Sequence, residues 1–449
     1  MSGVTVALTG ESLITRPFPT QEEDDTAALR RLITSADLAF THLEIVCASP
    51  PIVPRPRLHG IHVNASSRVL DDLKNWGFEL VGLAHNHAMD FGDTGLIQTI
   101  AALDARGFVT AGAGPTLSEA RRPRYVNAKG ARASLLAACS TDADEICASD
   151  PDGLFDGRPG ISPLRFTTQY EVTSDQFAFL SSLDEALGTA AGSRARHALS
   201  LVLGAPDGAH TSAATLRFLN VDFVEGTAPQ VHTRPSPADL EQMARWIGEA
   251  RRQSDLVIVS FHCHEGPNGT SNGNAIADFA VEAARSFIDA GADVCVGHGP
   301  HQLAAIEIYH GKPIFHSLGN LVFMVETIDI LPAEFLSAAG LPAQSTAADF
   351  HDFREGGSDG GRRGFAHQVE YWQTVVPMCK YDDGRLVGID LWPVALNRGT
   401  VRSRRGVPGL APRDVGEAIV TRIASLSEGL GTSVSYTEID GRLVGRVAL

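Results

Sequence analysis

Apolar positions fall into two rhythms along the chain. Short, nearly continuous apolar runs read as buried strands, and apolar residues three and four apart read as amphipathic helices. Strands are predicted at Val4–Leu8, Leu38–Leu43, Phe78–Leu83, Ala131–Ala138, Leu256–Phe261, Val294–Val296, Ala304–Tyr309 and Pro313–Ser317. Helices are predicted at Asp24–Ser35, Ser66–Trp76, Thr94–Arg106, Leu240–Gln253, Ala275–Ala290 and Arg413–Leu430. Within Thr94–Arg106, Leu96, Ile97, Ile100 and Leu103 share one face, and Gly77 stands where a helix stop would follow Trp76. Strands alternating with helices predict an α/β chain with a largely buried sheet.

Three stretches break the alternation. Ser49–Arg57 is proline-rich and reads as an extended surface loop. Residues 145–235 carry mixed signals and receive no assignment. Asp349–Arg363 is polar and glycine-rich, which predicts a mobile loop. Beyond it, Gln373–Val394 reads as strands joined by a hairpin turn at Asp382-Asp383-Gly384-Arg385. The division expected is a main domain over 1–325, a loop-rich insertion or lid over 326–370, and C-terminal strands and a helix over 371–449 that complete the same fold.

Composition narrows the class. The chain has 449 residues, 43% of them hydrophobic and 20% charged, with a formal net charge of −16. That excludes a disordered chain, a collagen-like repeat and a small disulfide scaffold. An acidic chain also makes a poor general binder of nucleic acid or anionic membranes. No run reaches about 18 apolar residues and no basic segment precedes Val4–Thr9, so a soluble, cytoplasmic protein is expected. Six cysteines without a CxxC pair fit reduced, mostly buried thiols.

The polar residues able to bind a metal cluster just after predicted strands. Gly10-Glu11 follows the first, and His42-Leu43-Glu44 ends the second. Ala84-His85-Asn86-His87-Ala88-Met89-Asp90, His262-Cys263-His264-Glu265-Gly266 and Gly297-His298-Gly299-Pro300-His301 follow three more. In α/β sheets ligands collect beyond the carboxyl ends of the strands. Each cluster alone has a plainer reading: Glu11 as a helix-start residue, His42 and Glu44 as a surface ion pair, Cys263 as a buried hydrophobe. Five together point to a metal centre. Mixed imidazoles and carboxylates suit Zn, Mn, Fe, Co or Ni, and a shared carboxylate can bridge two ions.

In this order, GES, HLE, NHAMDFG, HCHEG, GHGPH and SLGNLVF resemble the CapA (poly-γ-glutamate biosynthesis) family. The resemblance implies a calcineurin-like metallophosphoesterase fold, with β-sheet layers flanked by helices and the metal site at strand ends. It implies two divalent ions, with Mn, Zn, Fe and Ca not distinguished. Their implied ligands are Glu11, Glu44, Asn86, His262, His298 and His301. It makes His87 a catalytic histidine oriented by Asp90. Glu11 stands where the family usually has aspartate, and His42 where asparagine is common.

The chain is further similar to CapA-type lasso-peptide epimerases, which invert the Cα of a precursor peptide's C-terminal tryptophan. That implies a precursor peptide as partner and substrate. A base removes the Cα proton on one face and an acid returns one on the other. His87 is the first candidate, with His264, Glu265 or Cys263 as its partner. His42 and Trp372 are placed with the substrate, and Tyr371, Phe353 and Phe365 are further candidates for an indole pocket. The alternative is a dinuclear hydrolase acting on phosphoesters or on γ-glutamyl or peptide bonds.

Overall fold

Along Leu256–His262 successive side chains serve two different cores. Leu256 and Ile258 join one, while Val257, Val259 and Phe261 join the other. A period of two puts neighbouring side chains on opposite faces, so this strand is covered on both sides. The computed structural model describes residues 3–56, 60–198, 215–329, 331–342, 344–356 and 364–449.

Leu256–His262 lies inside a six-stranded sheet. The order is Ile306–Tyr309, Lys312–Phe315, Val294–His298, Leu256–His262, Ala131–Cys139, Arg124–Ala128. Its three central strands run parallel, with His262 paired to His298. A second, ten-stranded sheet has Val4–Leu13, Leu38–His42, Leu80–Gly82 and Val109–Ala111 side by side and parallel. The hairpin Gln373–Asp382 and Arg385–Ala395 joins this sheet antiparallel to Val4–Leu13, and Arg442–Val447 and Val434–Ile439 extend it. Asn320–Phe323 pairs parallel with the far end of Val4–Leu13.

The larger core includes Leu8, Phe40 and Leu80 from the ten-stranded sheet and Leu135, Ile258 and Val296 from the other. The second core seals the outer face of the six-stranded sheet. There Met243 and Ile247 of helix Pro237–Gln253 and Phe279, Ala283 and Phe287 of helix Asp278–Asp289 cover Val257, Val259 and Phe261. Several sheets flanked by helices make the α/β class expected from the alternation.

Most predicted elements are present with shifted ends. The first strand continues past Leu8 to Leu13, because Glu11 and Ser12 are buried and paired despite their polarity. Helix Val69–Asn75 is shorter than Ser66–Trp76. Residues 145–235 contain a four-stranded sheet built from Phe166–Thr173, Thr215–Phe218, Val221–Gly226 and Gln230–Pro235, with helices Ser174–Leu187 and Thr189–Ala198. The expected mobile loop is corrected over most of its length. Ala347–Gly356 is helical, with Phe350 packed on Phe335 at 5.0 Å and His351 buried. Thr346 and Asp349 start it by exchanging bonds: Thr346 Oγ1 accepts from Asp349 N, and Asp349 Oδ2 accepts from Thr346 N. The rest of the predicted loop, 357–363, lies outside the described residues. At the hairpin, Asp383 and Gly384 both take positive φ (46° and 73°), the backbone of a tight two-residue turn.

Candidate metal centre

Parallel strands place all their carboxyl ends on one edge, and here the two large sheets present that edge together. From the ten-stranded sheet come Glu11, His42 and, two residues later, Glu44. From the six-stranded sheet come His262, His264, His298 and His301. Register holds them level: Glu11 pairs with His42 and Asn320, His42 with Gly82, and His262 with His298. The pairing of Val4–Leu13 slips at Glu11, and such irregularities re-aim a side chain. Gly82 lets the sheets close, since a Cβ there would lie 2.7 Å from His42 Nδ1 and 2.8 Å from Ser260 Oγ.

Glu11 and Glu44 lie at the middle and are fully buried. Glu11 Oε2 is 2.6 Å from His301 Nδ1, and Glu11 Oε1 is 3.2 Å from His262 Nδ1. Glu44 Oε1 is 3.7 Å from His264 Nε2 and 3.8 Å from His262 Nε2, and Glu44 Oε2 is 3.7 Å from His301 Nδ1. Asn86 Oδ1 lies 3.2 Å from His262 Nε2, which brings the asparagine to the same cavity. His301 reaches the centre from a turn in which Gly299 (φ +121°) packs against the Cys263 backbone and His301 itself takes φ +60°.

A second layer fixes the imidazoles. Ser260 Oγ is 2.8 Å from His298 Nε2, Asn272 Oδ1 is 2.5 Å from His264 Nδ1, and Asn320 Oδ1 is 3.0 Å from His301 Nδ1. Asn320 Nδ2 also donates to the carbonyls of His301 and Tyr371. Such partners set the tautomer and aim of ligating histidines.

The donors fit divalent cations. All four carboxylate oxygens of Glu11 and Glu44, both nitrogens of His42 and Nε2 of His264 are buried without a well-formed hydrogen bond. Buried polar atoms are rarely left so, because each costs free energy unless something supplies its partner. Among the described residues three sets of donors lie within 4.8 Å of one another: Glu44, His264 and His301; His42, His262 and His298; and Glu11, Glu44 and His262. Glu44 and His262 each belong to two sets.

Without a bound cation the electrostatics divide the donors: Glu11, His42, His262 and His298 favour the deprotonated forms that bind metal, and Glu44 and His301 the protonated ones. Burial pushes the Glu11 carboxyl up, but His301 and His262 outweigh it and hold it well below its usual range. Burial and the neighbouring Glu11 charge push Glu44 well above its usual range. Burial drives His42 and His298 far down and His262 to about 4, which leaves neutral rings with free lone pairs. For His301 burial opposes protonation, and Glu11 and Glu44 outweigh it, so its pKa is raised.

His87 stands beside this cluster and outside its donor sets. Its Nδ1 is 2.7 Å from Asp90 Oδ2, and its Nε2 is 4.0 Å from Glu44 Oε1. Other expectations meet a different environment. Cys263 belongs to the outer core, where burial pushes its thiol far up. Glu265 turns away from the centre and accepts from Ser140 Oγ at 2.7 Å and Thr141 Oγ1 at 3.0 Å. His42 is fully buried and stacks on His298 with centroids 3.7 Å apart, so it lies under the donors and not on a substrate-facing wall. Trp372 is 1% exposed and donates to the Phe365 carbonyl at 2.8 Å, which makes it core. Phe323 and Phe365 border the centre, 5.4 Å and 5.7 Å from the His301 ring, and Phe365 lies 4.7 Å from Tyr371. Asn320, Ser260 and Asn272 were not singled out by the sequence. Only Asn320 carried a signal, as the asparagine of the SLGNLVF motif.

Residues 5–325 match the family described as bacterial capsule synthesis protein PGA_cap. The chain belongs to that family. Its membership accounts for the mixed α/β layers and agrees with a metallophosphoesterase-like fold. Two uncharacterized proteins of Sinorhizobium fredii, y4sH and y4uA, are each 28% identical to this PGA_cap chain over 456 residues, covering 98% of it and 92% of their own length. The PGA biosynthesis protein CapA of Bacillus subtilis is 40% identical over 110 residues, 24% of this chain and 28% of CapA. The capsule biosynthesis protein CapA of Bacillus anthracis is 24% identical over 263 residues, 59% of this chain and 44% of that protein. Among the described residues no helix is long and apolar enough to cross a membrane.

Proposed function

We propose that this PGA_cap protein is a two-metal enzyme that moves a proton at the carbon beside a bound carboxylate, epimerising the C-terminal residue of a precursor peptide. The observation that supports it best is His87. Asp90 orients the imidazole at 2.7 Å, and its Nε2 reaches toward Glu44 while the ring stays outside the donor sets. An imidazole oriented by a carboxylate can take and return a proton.

Glu11, Glu44, Asn86, His262, His298 and His301 would hold the ions, joined by His264. Bound there, divalent ions supply Lewis-acid stabilisation of negative charge on a substrate carboxylate or phosphate. His87 then serves one face of the Cα. His264, whose Nε2 lies 3.7 Å from the same Glu44 oxygen, is the candidate for the other face when it is not a ligand. Phe365 and Phe323, both against His301 and with Tyr371 beside Phe365, give an aromatic wall that suits an aromatic C-terminal side chain.

Hydrolysis is the second reading, favoured by one feature. His87 stands beside the donor sets with Asp90 as its carboxylate partner, and hydrolysis needs one acid, at the leaving group. The test is solvent exchange. The metal-loaded protein is incubated in D₂O with a Trp-terminated precursor peptide, and mass and C-terminal chirality are followed. Uptake of about one dalton with D-tryptophan and no cleavage supports epimerisation. Cleavage of phosphoesters or γ-glutamyl peptides without exchange supports hydrolysis.

A further inference from the structure

After His264 the chain turns back on itself and returns with an asparagine. Glu265 pairs antiparallel with Ser271, and Gly266 N donates to the Thr270 carbonyl, so residues 265–271 form a closed loop. Gly266 permits the closure, since a Cβ there would lie 2.5 Å from Thr270 Oγ1. The loop ends on Asn272, whose φ of +58° lies in the left-handed region that asparagine tolerates. Asn272 then meets His264 twice. Its N–H donates to the His264 carbonyl at 3.1 Å, and its Oδ1 lies 2.5 Å from His264 Nδ1. From the other side, His264 N donates to Thr141 Oγ1 at 3.0 Å.

We propose that Asn272 is a positioning residue: it keeps the hydrogen of His264 on Nδ1 and the bare Nε2 facing Glu44, and Gln302 and Tyr371 hold it in place. The inference rests on the proposed reaction and adds the residue that fixes its second imidazole.

Three observations carry it. An amide oxygen only accepts, so the hydrogen between Asn272 and His264 belongs to Nδ1, and a neutral ring then has its lone pair on Nε2. His264 Nε2 is buried without a hydrogen bond and stands 3.7 Å from Glu44 Oε1, so that lone pair faces the centre. Finally, the Asn272 carbonyl accepts from Gln302 Nε2 at 2.7 Å and from Tyr371 Oη at 2.9 Å. Gln302 follows His301, and Tyr371 packs on Phe365 of the aromatic wall. The residue that sets His264 is thereby fastened to the turn that carries His301 and to the wall proposed for the substrate's side chain. A base and a metal ligand both act through a bare nitrogen, so the setting serves His264 in either part.

The test pairs Asn272→Gly, which keeps the left-handed backbone and loses the acceptor, with Asn272→Asp, which keeps an oxygen there. Both are made in the full-length chain. Nitrogen-15 histidine spectra of the metal-free protein read the His264 tautomer, its signals assigned by their loss in His264→Gln. Wild type and Asn272→Asp are expected to carry the hydrogen on Nδ1, and Asn272→Gly a mixture of the two tautomers. Deuterium exchange into a Trp-terminated precursor peptide is then followed on the metal-loaded chain. In Asn272→Gly kcat is expected to fall by more than about tenfold with KM little changed, and Asn272→Asp to recover most of the loss. An unchanged tautomer or an unchanged kcat in Asn272→Gly would overturn the proposal. A hydrogen on Nε2 of His264 in wild type would overturn it whether or not the variants fold. Wild type that exchanges nothing would overturn the proposed reaction instead, and the tautomer alone would then decide the part of Asn272.

Discussion

Asp90 Oδ2 accepts from the Val63 backbone N–H at 2.8 Å and stands 2.7 Å from His87 Nδ1. One buried carboxylate oxygen thus ties the loop after Leu80–Gly82 to the segment before helix Val69–Asn75 and aims an imidazole at Glu44. Substituting Asp90→Asn with its amide oxygen in that place keeps both contacts but removes the negative charge that favours a protonated His87. Activity should fall by about 10²–10⁴-fold with bound metal unchanged. His87→Ala should do the same. Loss of metal in His87→Ala, measured by elemental analysis, would make His87 a ligand.

Glu44 is shared between two donor sets, and His301 belongs to one. Glu44→Ala should therefore lose both ions, and His301→Ala should lose one. Elemental analysis of the two purified variants, each with an unchanged circular dichroism spectrum, reads the difference. Equal metal content would mean that Glu44 bridges nothing.

The sheets meet at Gly82, where the positions of His42 Nδ1 and Ser260 Oγ leave no room for a Cβ. Gly82→Ala should destabilise the chain by about 1–3 kcal/mol through overpacking and should weaken metal binding at His298, which Ser260 positions. Urea unfolding with and without metal tests both. A variant as stable and as metal-avid as wild type would show that the sheets part freely there.

Outside the donor sets, Asp239 gathers two arginines. Its Oδ1 is 2.5 Å from Arg121 Nη2 and 2.9 Å from Arg165 Nη2, and Oδ2 is 2.8 Å from Arg165 Nε. Burial pushes the carboxyl up, but Arg165 and Arg121 outweigh it and the pKa is lowered. A depressed folded pKa contributes stability above the unfolded value of about 3.9, and that stability is lost as pH falls through the folded value. Asp239→Asn should cost about 3–5 kcal/mol at pH 7. The gap between wild type and variant should narrow as pH drops below about 4. A gap independent of pH in urea unfolding would deny the ionic contribution.

Much of this was legible in the sequence, for a physical reason. Glu11, Glu44, His262, His298 and His301 are charged or imidazole side chains at the ends of apolar strands, where burial is unavoidable and a partner is needed. Strand ends in parallel sheets converge, so their gathering follows from pattern alone. His42 was harder. Its stack on His298 joins strands of different sheets, and no local pattern encodes that contact. Ser260, Asn272 and Asn320 are ordinary polar residues whose roles appear only with the fold. The small sheet of Phe166–Thr173 and its partners escaped because its strands are half-buried and lack a clean alternation. Helix Ala347–Gly356 was hidden by polar composition, although Thr346 and Asp349 carry the spacing of a helix start.

The most direct test of the account is anomalous diffraction from crystals grown with manganese or zinc. Two peaks about 3.5–4 Å apart on either side of the Glu44 carboxylate are predicted. Strong binding in solution with no peak against Glu44, or with peaks elsewhere on the chain, would contradict the two-metal centre.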